Sequence, residues 1–407
     1  MDIYEEALKM HRQHQGKISV ESKVDIKDSK DLSLAYSPGV AEPCREIASD
    51  KDKSYEYTAR GNLVAVVSSG TAVLGLGNIG PEAALPVMEG KAVLFKKFAG
   101  VDAFPLCVKS TDPDEIVNFV KMLEPTFAGI NLEDIAAPDC FYIEERLKQE
   151  TEMAIFHDDQ HGTAIVAYAG LLNALKIVSK KLNNCQLVVN GAGASATATV
   201  KLLIQAGLKE ENIIICDSLG IIHEDRQGGL TEAKKELAQL SNPNNIDGNL
   251  AAAVQGADIF LGLSVGEVLK PEMVESMAKD PVIFALANPT PEIDPELAFQ
   301  AGAKIVATGR SDYPNQINNV LAFPGVLKGA LLVRAKEINE EMKLAAARAI
   351  AGFIEEIKPE KIVPDPFKPG VAGEVALATA EAALETGVAR IQLTRDKMLE
   401  ILEEDTF

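Results

Sequence analysis

Apolar positions along the second half of this chain come in short continuous runs separated by stretches of helical spacing. Gln186–Val189, Asn212–Cys216, Ala257–Gly262, Val282–Ala287 and Lys304–Ala307 predict strands, with a helix over Ala194–Ala206 between the first two. Strands without polar alternation are covered on both faces, which predicts a doubly wound parallel sheet. Upstream the pattern is less regular. Asn62–Ser69 is β-branched and predicts a buried strand, and Gly129–Leu132 and Met153–Phe156 are shorter strand-like runs. Pro81–Gly90 predicts a short helix opened by proline at its first position, and Asp112–Leu123 follows with helical spacing. A helix is predicted over Thr163–Ser179, with Ile165, Ala169, Leu172 and Leu175 on one face. The Asn-rich stretch 242–249 predicts a surface loop. An alanine-rich helix is predicted within Gly329–Phe353, followed by Pro359, Pro364, Pro366 and Pro369, and a last one begins near Ala372. These C-terminal helices are too polar to stand alone and should pack back. The expected class is α/β: a mixed α/β catalytic and substrate domain (1–160), a Rossmann-type dinucleotide-binding domain (161–330), and helices packing on both (331–407).

Composition narrows the partners. A formal net charge of −20 over 407 residues argues against nucleic acid and anionic membrane surfaces. No apolar run approaches the roughly 20 residues that span a bilayer. The polar N-terminus has no signal-peptide core, and the five cysteines (Cys44, Cys107, Cys140, Cys185, Cys216) form no C-x-x-C pair. Free thiols in a cytoplasmic protein are expected.

The densest chemistry lies in Phe156-His157-Asp158-Asp159-Gln160-His161-Gly162-Thr163-Ala164, between a strand-like run and a helix. Adjacent carboxylates at such a boundary are costly unless a cation or a reaction needs them. A second acidic pair, Glu133-Asp134, also follows a strand-like run. If both pairs lie past strand ends, they can meet in one crevice, where carboxylates suit Mg²⁺ or Mn²⁺. The plain alternative is solvated loop acid. A zinc pair made by His157 and His161 is disfavoured, because the histidines straddle a strand–helix junction and no third ligand is evident.

Two glycine loops could cradle a dinucleotide. Gly191-Ala192-Gly193-Ala194-Ser195-Ala196 follows a strand, opens a helix, and precedes Asp217 by 26 residues at the end of the next strand. That spacing fits a pyrophosphate at a helix N-terminus and an acid on a ribose. Gly75-Leu76-Gly77-Asn78-Ile79-Gly80 lacks such an acid and is expected to be a turn into the helix led by Pro81.

At these residues the chain resembles the malic enzyme family over nearly its whole length. Tyr36-Ser37-Pro38-Gly39-Val40-Ala41 is similar to the family's tyrosine motif, Glu89-Gly90-Lys91 to its lysine motif, and Asn131-Leu132-Glu133-Asp134 to its metal motif. Asn288-Pro289-Thr290, and Asn318-Asn319 followed by Phe323-Pro324-Gly325, resemble its nucleotide and substrate contacts. The resemblance implies oxidative decarboxylation of malate to pyruvate and CO₂ with reduction of NAD or NADP. It implies Glu133, Asp134 and Asp159 as ligands of Mg²⁺ or Mn²⁺, and Lys91 as the base on the C2 hydroxyl, with Asp158 beside it. Tyr36 is implied as the acid at C3, Asn288 as a nucleotide and substrate contact, Asn318 and Asn319 as substrate contacts, and a homodimer or higher oligomer as the assembly. Without the family, Lys91 is a surface lysine, Tyr36 a half-buried aromatic and Asn288 a turn residue.

The sequence departs from larger members at Ala72, where an arginine would bind the substrate carboxylate, and it ends at Phe407 without an acetyltransferase-like extension. Asp217 points towards NAD without deciding between the cofactors. Three other activities share parts of the pattern: a malolactic enzyme, another two-domain dehydrogenase acting on an amino acid or folate, and a nucleotide-binding regulator without turnover.

Overall fold

The computed structural model describes residues 2–73 and 75–404. Its ten strands form two sheets. The first comprises β1 (Leu63–Ser68), β2 (Asp102–Cys107), β3 (Gly129–Leu132) and β4 (Ala154–His157), in the order β2-β1-β3-β4 and parallel throughout. The irregular upstream pattern therefore resolves into a parallel sheet. Its edge strand β2 escapes the sequence pattern because Pro105 lies within it, and an edge tolerates the missing N–H donor.

The second sheet comprises β5 (Leu187–Asn190), β6 (Ile213–Asp217), β7 (Gly220–Ile221), β8 (Ile259–Gly262), β9 (Val282–Ala285) and β10 (Ile305–Thr308). Its order is β10-β9-β8-β5-β6-β7, parallel except for the short β7. Strands β5, β8, β9 and β10 are buried at every position, as their unbroken apolar runs require.

The helices are α1 (Ile3–His14), α2 (Ser29–Ala35), α3 (Pro81–Ala99), α4 (Pro113–Met122), α5 (Asp139–Glu150), α6 (Asp158–Ile177), α7 (Ala194–Gln205), α8 (Phe323–Leu332), α9 (Glu340–Gly352), α10 (Val371–Glu385) and α11 (Arg395–Glu404). Further helices such as Ala41–Ser49 connect them. Three helices differ from expectation. Helix α3 continues past Gly90 to Ala99, because Ala92 and Phe95 bury against the core and outweigh the glycine. Helix α6 begins five residues early, at Asp158, so the acidic pair forms its first turn, where the helix dipole favours negative charge. The alanine-rich stretch is two helices, α8 and α9.

Helix α6 is buried on nearly all sides, not along one stripe, because the C-terminal helices close over it. Val326 and Leu327 of α8, Ala347 and Ile350 of α9, and Val375 of α10 join its residues in the largest apolar core. The expected back-packing of the C-terminal helices is thus what the structure shows. In contrast, α1, α2 and the Ala41–Ser49 helix contain no buried residue.

Candidate active site

Register brings the two acidic pairs together. In the β3–β4 ladder Leu132 lies opposite His157, so Glu133-Asp134 and Asp158-Asp159 leave the sheet side by side. Carboxylate oxygens of Glu133, Asp134 and Asp159 all lie within 4.8 Å of one another. One backbone and one side-chain hydrogen bond fix the cluster. The N–H of Asp134 donates to Asp159 Oδ2 at 2.8 Å, and Asn131 Nδ2 donates to Glu133 Oε2 at 2.8 Å. Ser195 Oγ donates to the carbonyl of Asp159 at 2.6 Å, tying the second glycine loop to the cluster.

Lys91 projects into the same place from the middle of α3. Its Nζ lies 2.6 Å from Asp158 Oδ2 and 2.9 Å from Glu133 Oε1, with only 11% of the side chain exposed. It is not the surface lysine that residue type alone suggests. The ammonium also sits 4.3 Å from the centre of the Phe323 ring, a cation–π contact. Burial alone would lower its pKa, but Asp158 and Glu133 override that and hold it above the ordinary lysine value.

Asp158 is held further by Asn319, whose Nδ2 donates to Asp158 Oδ2 at 3.2 Å and whose Oδ1 accepts from Thr163 Oγ1 at 3.0 Å. One residue after β4 is thereby connected to one 161 positions later in the chain. Gly162 lies beneath: a Cβ there would approach Asp158 Oδ1 to 2.0 Å, so only glycine leaves room for the carboxylate.

Four acids cluster with one lysine, and burial together with the excess negative charge raises the pKa of two of them, Glu133 and Asp159. Burial, then the neighbouring carboxylates, raises Glu133 to about 8 against the pull of Lys91. Burial followed by Asp134 and Asp158 raises Asp159 to about 7. Crowded carboxylate oxygens from two buried residues and the half-buried Asp159 fit a hard divalent cation such as Mg²⁺ or Mn²⁺.

The remaining expected residues are more dispersed. Gly191 follows β5 with φ of +135°, and a Cβ there would meet the carbonyl oxygen of Leu263 at 2.5 Å. Gly193 caps α7, which begins with Ala194, Ser195 and Ala196, and Ala192 is half-buried beside the core. Asp217 ends β6 as expected. Asn288 is half-buried in the loop after β9, and Asn318 caps the turn before α8 through a bond from Val320 N–H to its Oδ1 at 3.0 Å. Tyr36 is 70% exposed at the end of α2. The first glycine segment is a turn: Gly75, Gly77 and Gly80 have positive φ, and Gly80 leads into Pro81. The preceding N–H groups of Thr71 and Ala72 both donate to the carbonyl of Asp134 at 3.1 Å, so this loop borders the cluster.

Sequence reasoning missed a polar layer behind the site. Glu144 of α5 accepts from Gln160 Nε2 at 2.9 Å, lies 2.5 Å from Lys148 Nζ, and meets His161 Nε2 at 2.6 Å. Burial lowers His161 to about 4, so near neutral pH it is an uncharged ring donating to Glu144, and Lys148 balances the acid. Both partners on α6 lie within the signature, but Glu144 looks like any helix-surface acid in sequence. Arg226 and Lys234, which hold Asp217, likewise look like solvated surface charges in sequence.

A buried lysine among carboxylates at the ends of one parallel sheet, tied to a glycine loop on a second, defines a two-domain oxidoreductase that uses a nicotinamide dinucleotide. Comparison with known proteins agrees. The model of the malic enzyme N-terminal domain matches residues 15–112 and 109–148, and that of the malic enzyme NAD binding domain matches 160–384. The chain belongs to the malic enzyme family. It is 58% identical over 402 residues to the bifunctional malic/malolactic enzyme of Bacillus subtilis (strain 168), covering 98% of each chain. It is 52% identical to the NADP-dependent malic enzyme of Escherichia coli (strain K12), covering 92% of this chain and 51% of that one. The crystal structure of malic enzyme from Pyrococcus horikoshii Ot3 superposes with a TM-score of 0.96 at 50% identity, covering 99% of this chain and 96% of that one. The chain is accordingly an NAD- or NADP-dependent oxidoreductase of the malic enzyme kind.

Proposed function

We propose that this enzyme oxidises and decarboxylates (S)-malate to pyruvate and CO₂ with a divalent cation. The observation that carries this is Lys91 buried between Asp158 and Glu133, beside the converging oxygens of Glu133, Asp134 and Asp159. These three acids would hold the cation, Mg²⁺ or Mn²⁺. When bound, the cation lends positive charge to the C2 oxygen of malate, and the nicotinamide ring accepts the hydride.

Lys91 Nζ takes the proton of the C2 hydroxyl. It is charged while it pairs with both carboxylates. With Glu133 engaged elsewhere it loses one of the two carboxylates that hold its pKa up, which moves it towards the neutral amine that the reaction needs, with burial acting in the same direction and Asp158 opposing. Asp158 and Asn319 hold the lysine in place. Tyr36 is proposed to deliver a proton to C3 once CO₂ has left. Asn288 and Asn318 are proposed to contact nucleotide and substrate.

A homo-oligomer is part of the same proposal. Ile3, Leu8, Leu32, Leu34 and Tyr36 all lie exposed on an N-terminal arm without one buried residue. A second copy of the chain would cover this arm, and Tyr36 shares it, so its role depends on that cover.

The test is absorbance of the reduced nicotinamide with malate, Mn²⁺, and NAD or NADP in turn. Malate-dependent, EDTA-sensitive accumulation is expected. Turnover that ignores EDTA would favour a metal-free dehydrogenase. Lactate formed without net reduced cofactor would assign the malolactic activity included in the Bacillus subtilis relative's name.

A further inference from the structure

Helix α6 opens without a cap. His157 precedes it in extended conformation and makes no side-chain capping bond, and the fifth residue of the helix is Gly162. An uncapped start leaves N–H groups unpaired, and glycine weakens a helix interior. The turn between them, Asp158-Asp159-Gln160-His161, carries both acids yet has little of its own to hold its shape. Asp134 and Ser195 each reach Asp159 once. His157 adds nothing: its Nδ1 stays 3.9 Å from Asp159 Oδ2, and both ring nitrogens are buried without a hydrogen-bond partner.

Glu144 grips this turn from the neighbouring helix α5. Its Oε2 accepts from Gln160 Nε2 at 2.9 Å, and its Oε1 accepts from His161 Nε2 at 2.6 Å. Consecutive side chains leave a helix about 100° apart, so one carboxylate bonded to both fixes the turn in rotation as well as in position. Glu144 is itself anchored. Ile143 and Leu147, on either side of it in α5, share an apolar core with Ile130 and Leu132 of β3, the strand that leads into Glu133 and Asp134. The grip therefore runs from the segment bearing one acidic pair to the turn bearing the other. Lys148, one turn along α5, lies 2.5 Å from Glu144 Oε1. Burial works against the charge, but His161 and Lys148 hold the carboxyl well below its ordinary value, so both oxygens accept.

We propose that Glu144 is a positioning residue for the divalent cation: by clamping Gln160 and His161 it aims the carboxylate of Asp159 at the point where Glu133 and Asp134 converge. The inference rests on the reading that these three acids hold the cation, and it names what keeps the third of them in place. Three donors, from Gln160, His161 and Lys148, engage the oxygens of Glu144, so it acts through the helix turn and not as a ligand. Groups that orient metal ligands from behind typically matter to affinity almost as much as the ligands do.

Titration of the full-length protein with Mn²⁺ alone, without malate or nicotinamide, tests this, with free Mn²⁺ read by electron paramagnetic resonance. Glu144→Ala should weaken Mn²⁺ binding by about tenfold to a hundredfold. Glu144→Gln should stay within about threefold of wild type, because the Gln160 amide can turn over and both hydrogen bonds survive the loss of charge. Equal losses in the two variants would mean that charge acts and position does not, and would overturn the proposal. So would a Glu144→Ala protein that loses Tm but binds Mn²⁺ like wild type. If Glu144→Ala does not fold, Gln160→Ala cuts the clamp from the other side and should weaken Mn²⁺ by about threefold to tenfold, and unchanged affinity there overturns the proposal. Asp159→Ala separates the clamp from the cation reading. Binding that Asp159→Ala abolishes and Glu144→Ala leaves intact overturns the clamp alone. A wild-type protein that binds no Mn²⁺, or binds it equally well without Asp159, overturns the cation reading, and the clamp falls with it.

Discussion

Lys91 Nζ lies 2.6 Å from Oδ2 of Asp158, whose side chain has no solvent exposure. A buried ion pair of this kind is weak evidence for stability but strong evidence for position. Lys91→Ala should lower malate turnover by about 10²–10⁴ while the fold persists. Tyr36→Phe should instead slow the later proton transfer and leave oxidation nearer to normal. Steady-state rates with malate check both, and a Lys91→Ala enzyme within about fivefold of wild type on the same scale would remove the lysine from the base role.

Cation binding should show in stability as a function of pH. Glu133 and Asp159 are raised to about 8 and about 7 in the folded chain, from ordinary values of 4.5 and 3.8. Raised groups bind protons more tightly when folded, so their contribution is complete below the ordinary values and lost as pH climbs through 7 to 8. The metal-free protein should therefore lose Tm between about pH 5 and pH 8, and Mn²⁺ should restore more at the upper end. Differential scanning calorimetry across pH checks the sign. Asp159→Ala should remove most of the Mn²⁺ effect, and an unchanged effect would take Asp159 out of the ligand set.

Gly162→Ala should be disproportionately harmful. The new methyl would press on Asp158 Oδ1 from 2.0 Å, and neither the helix nor the ion pair can yield easily. A loss of about 1–3 kcal/mol is expected by thermal unfolding, with turnover falling further than stability alone predicts. Full activity would mean that Asp158 can move without consequence.

Asn319→Ala should uncouple the two halves of the site. It removes the bonds to Asp158 Oδ2 and Thr163 Oγ1 and leaves Asp158 with Lys91 as its side-chain partner. Turnover should fall by roughly tenfold or more at little cost in Tm. Asn319→Asp, which places a further carboxylate against Asp158, should be worse than Asn319→Ala.

Assembly is testable at the N-terminal arm. Leu34→Asp puts a charge on the exposed apolar side of α2, where Leu34 is 66% exposed. Sedimentation velocity should show wild type larger than a monomer and the variant shifted towards monomer, with activity reduced in parallel. A monomeric, fully active wild type would discard the oligomer.

Much of the fold was legible because continuous apolar runs have few structural outcomes. The five parallel strands of the second sheet lie within a residue or two of their predicted positions, since buried parallel strands must be apolar throughout, whereas the two-residue antiparallel β7 has no apolar run to betray it. Pro105 hid β2 because proline argues against a strand unless one knows that it lies at an edge. Gly90 suggested an early stop to α3 because the stabilising burial of Ala92 and Phe95 is tertiary. The acidic pairs were legible as a possible site, whereas Lys91 by itself looked like solvent-facing charge. Arg226 and Lys234 left no trace at all, since a cation that pairs with a buried acid is spelled like one that does not.

Local chemistry along the chain decided that there would be two α/β units, where carboxylates would cluster at strand ends, and which glycine loop would open a helix. It could do so because periodicity, strand runs and turn residues act over a few neighbours. Only the assembled structure decided that Leu132 lies opposite His157, that Lys91 is buried between Glu133 and Asp158, and that Asp217 is already engaged by two cations. Register, burial and charge balance arise between segments far apart in the chain, so no short stretch of sequence encodes them by itself.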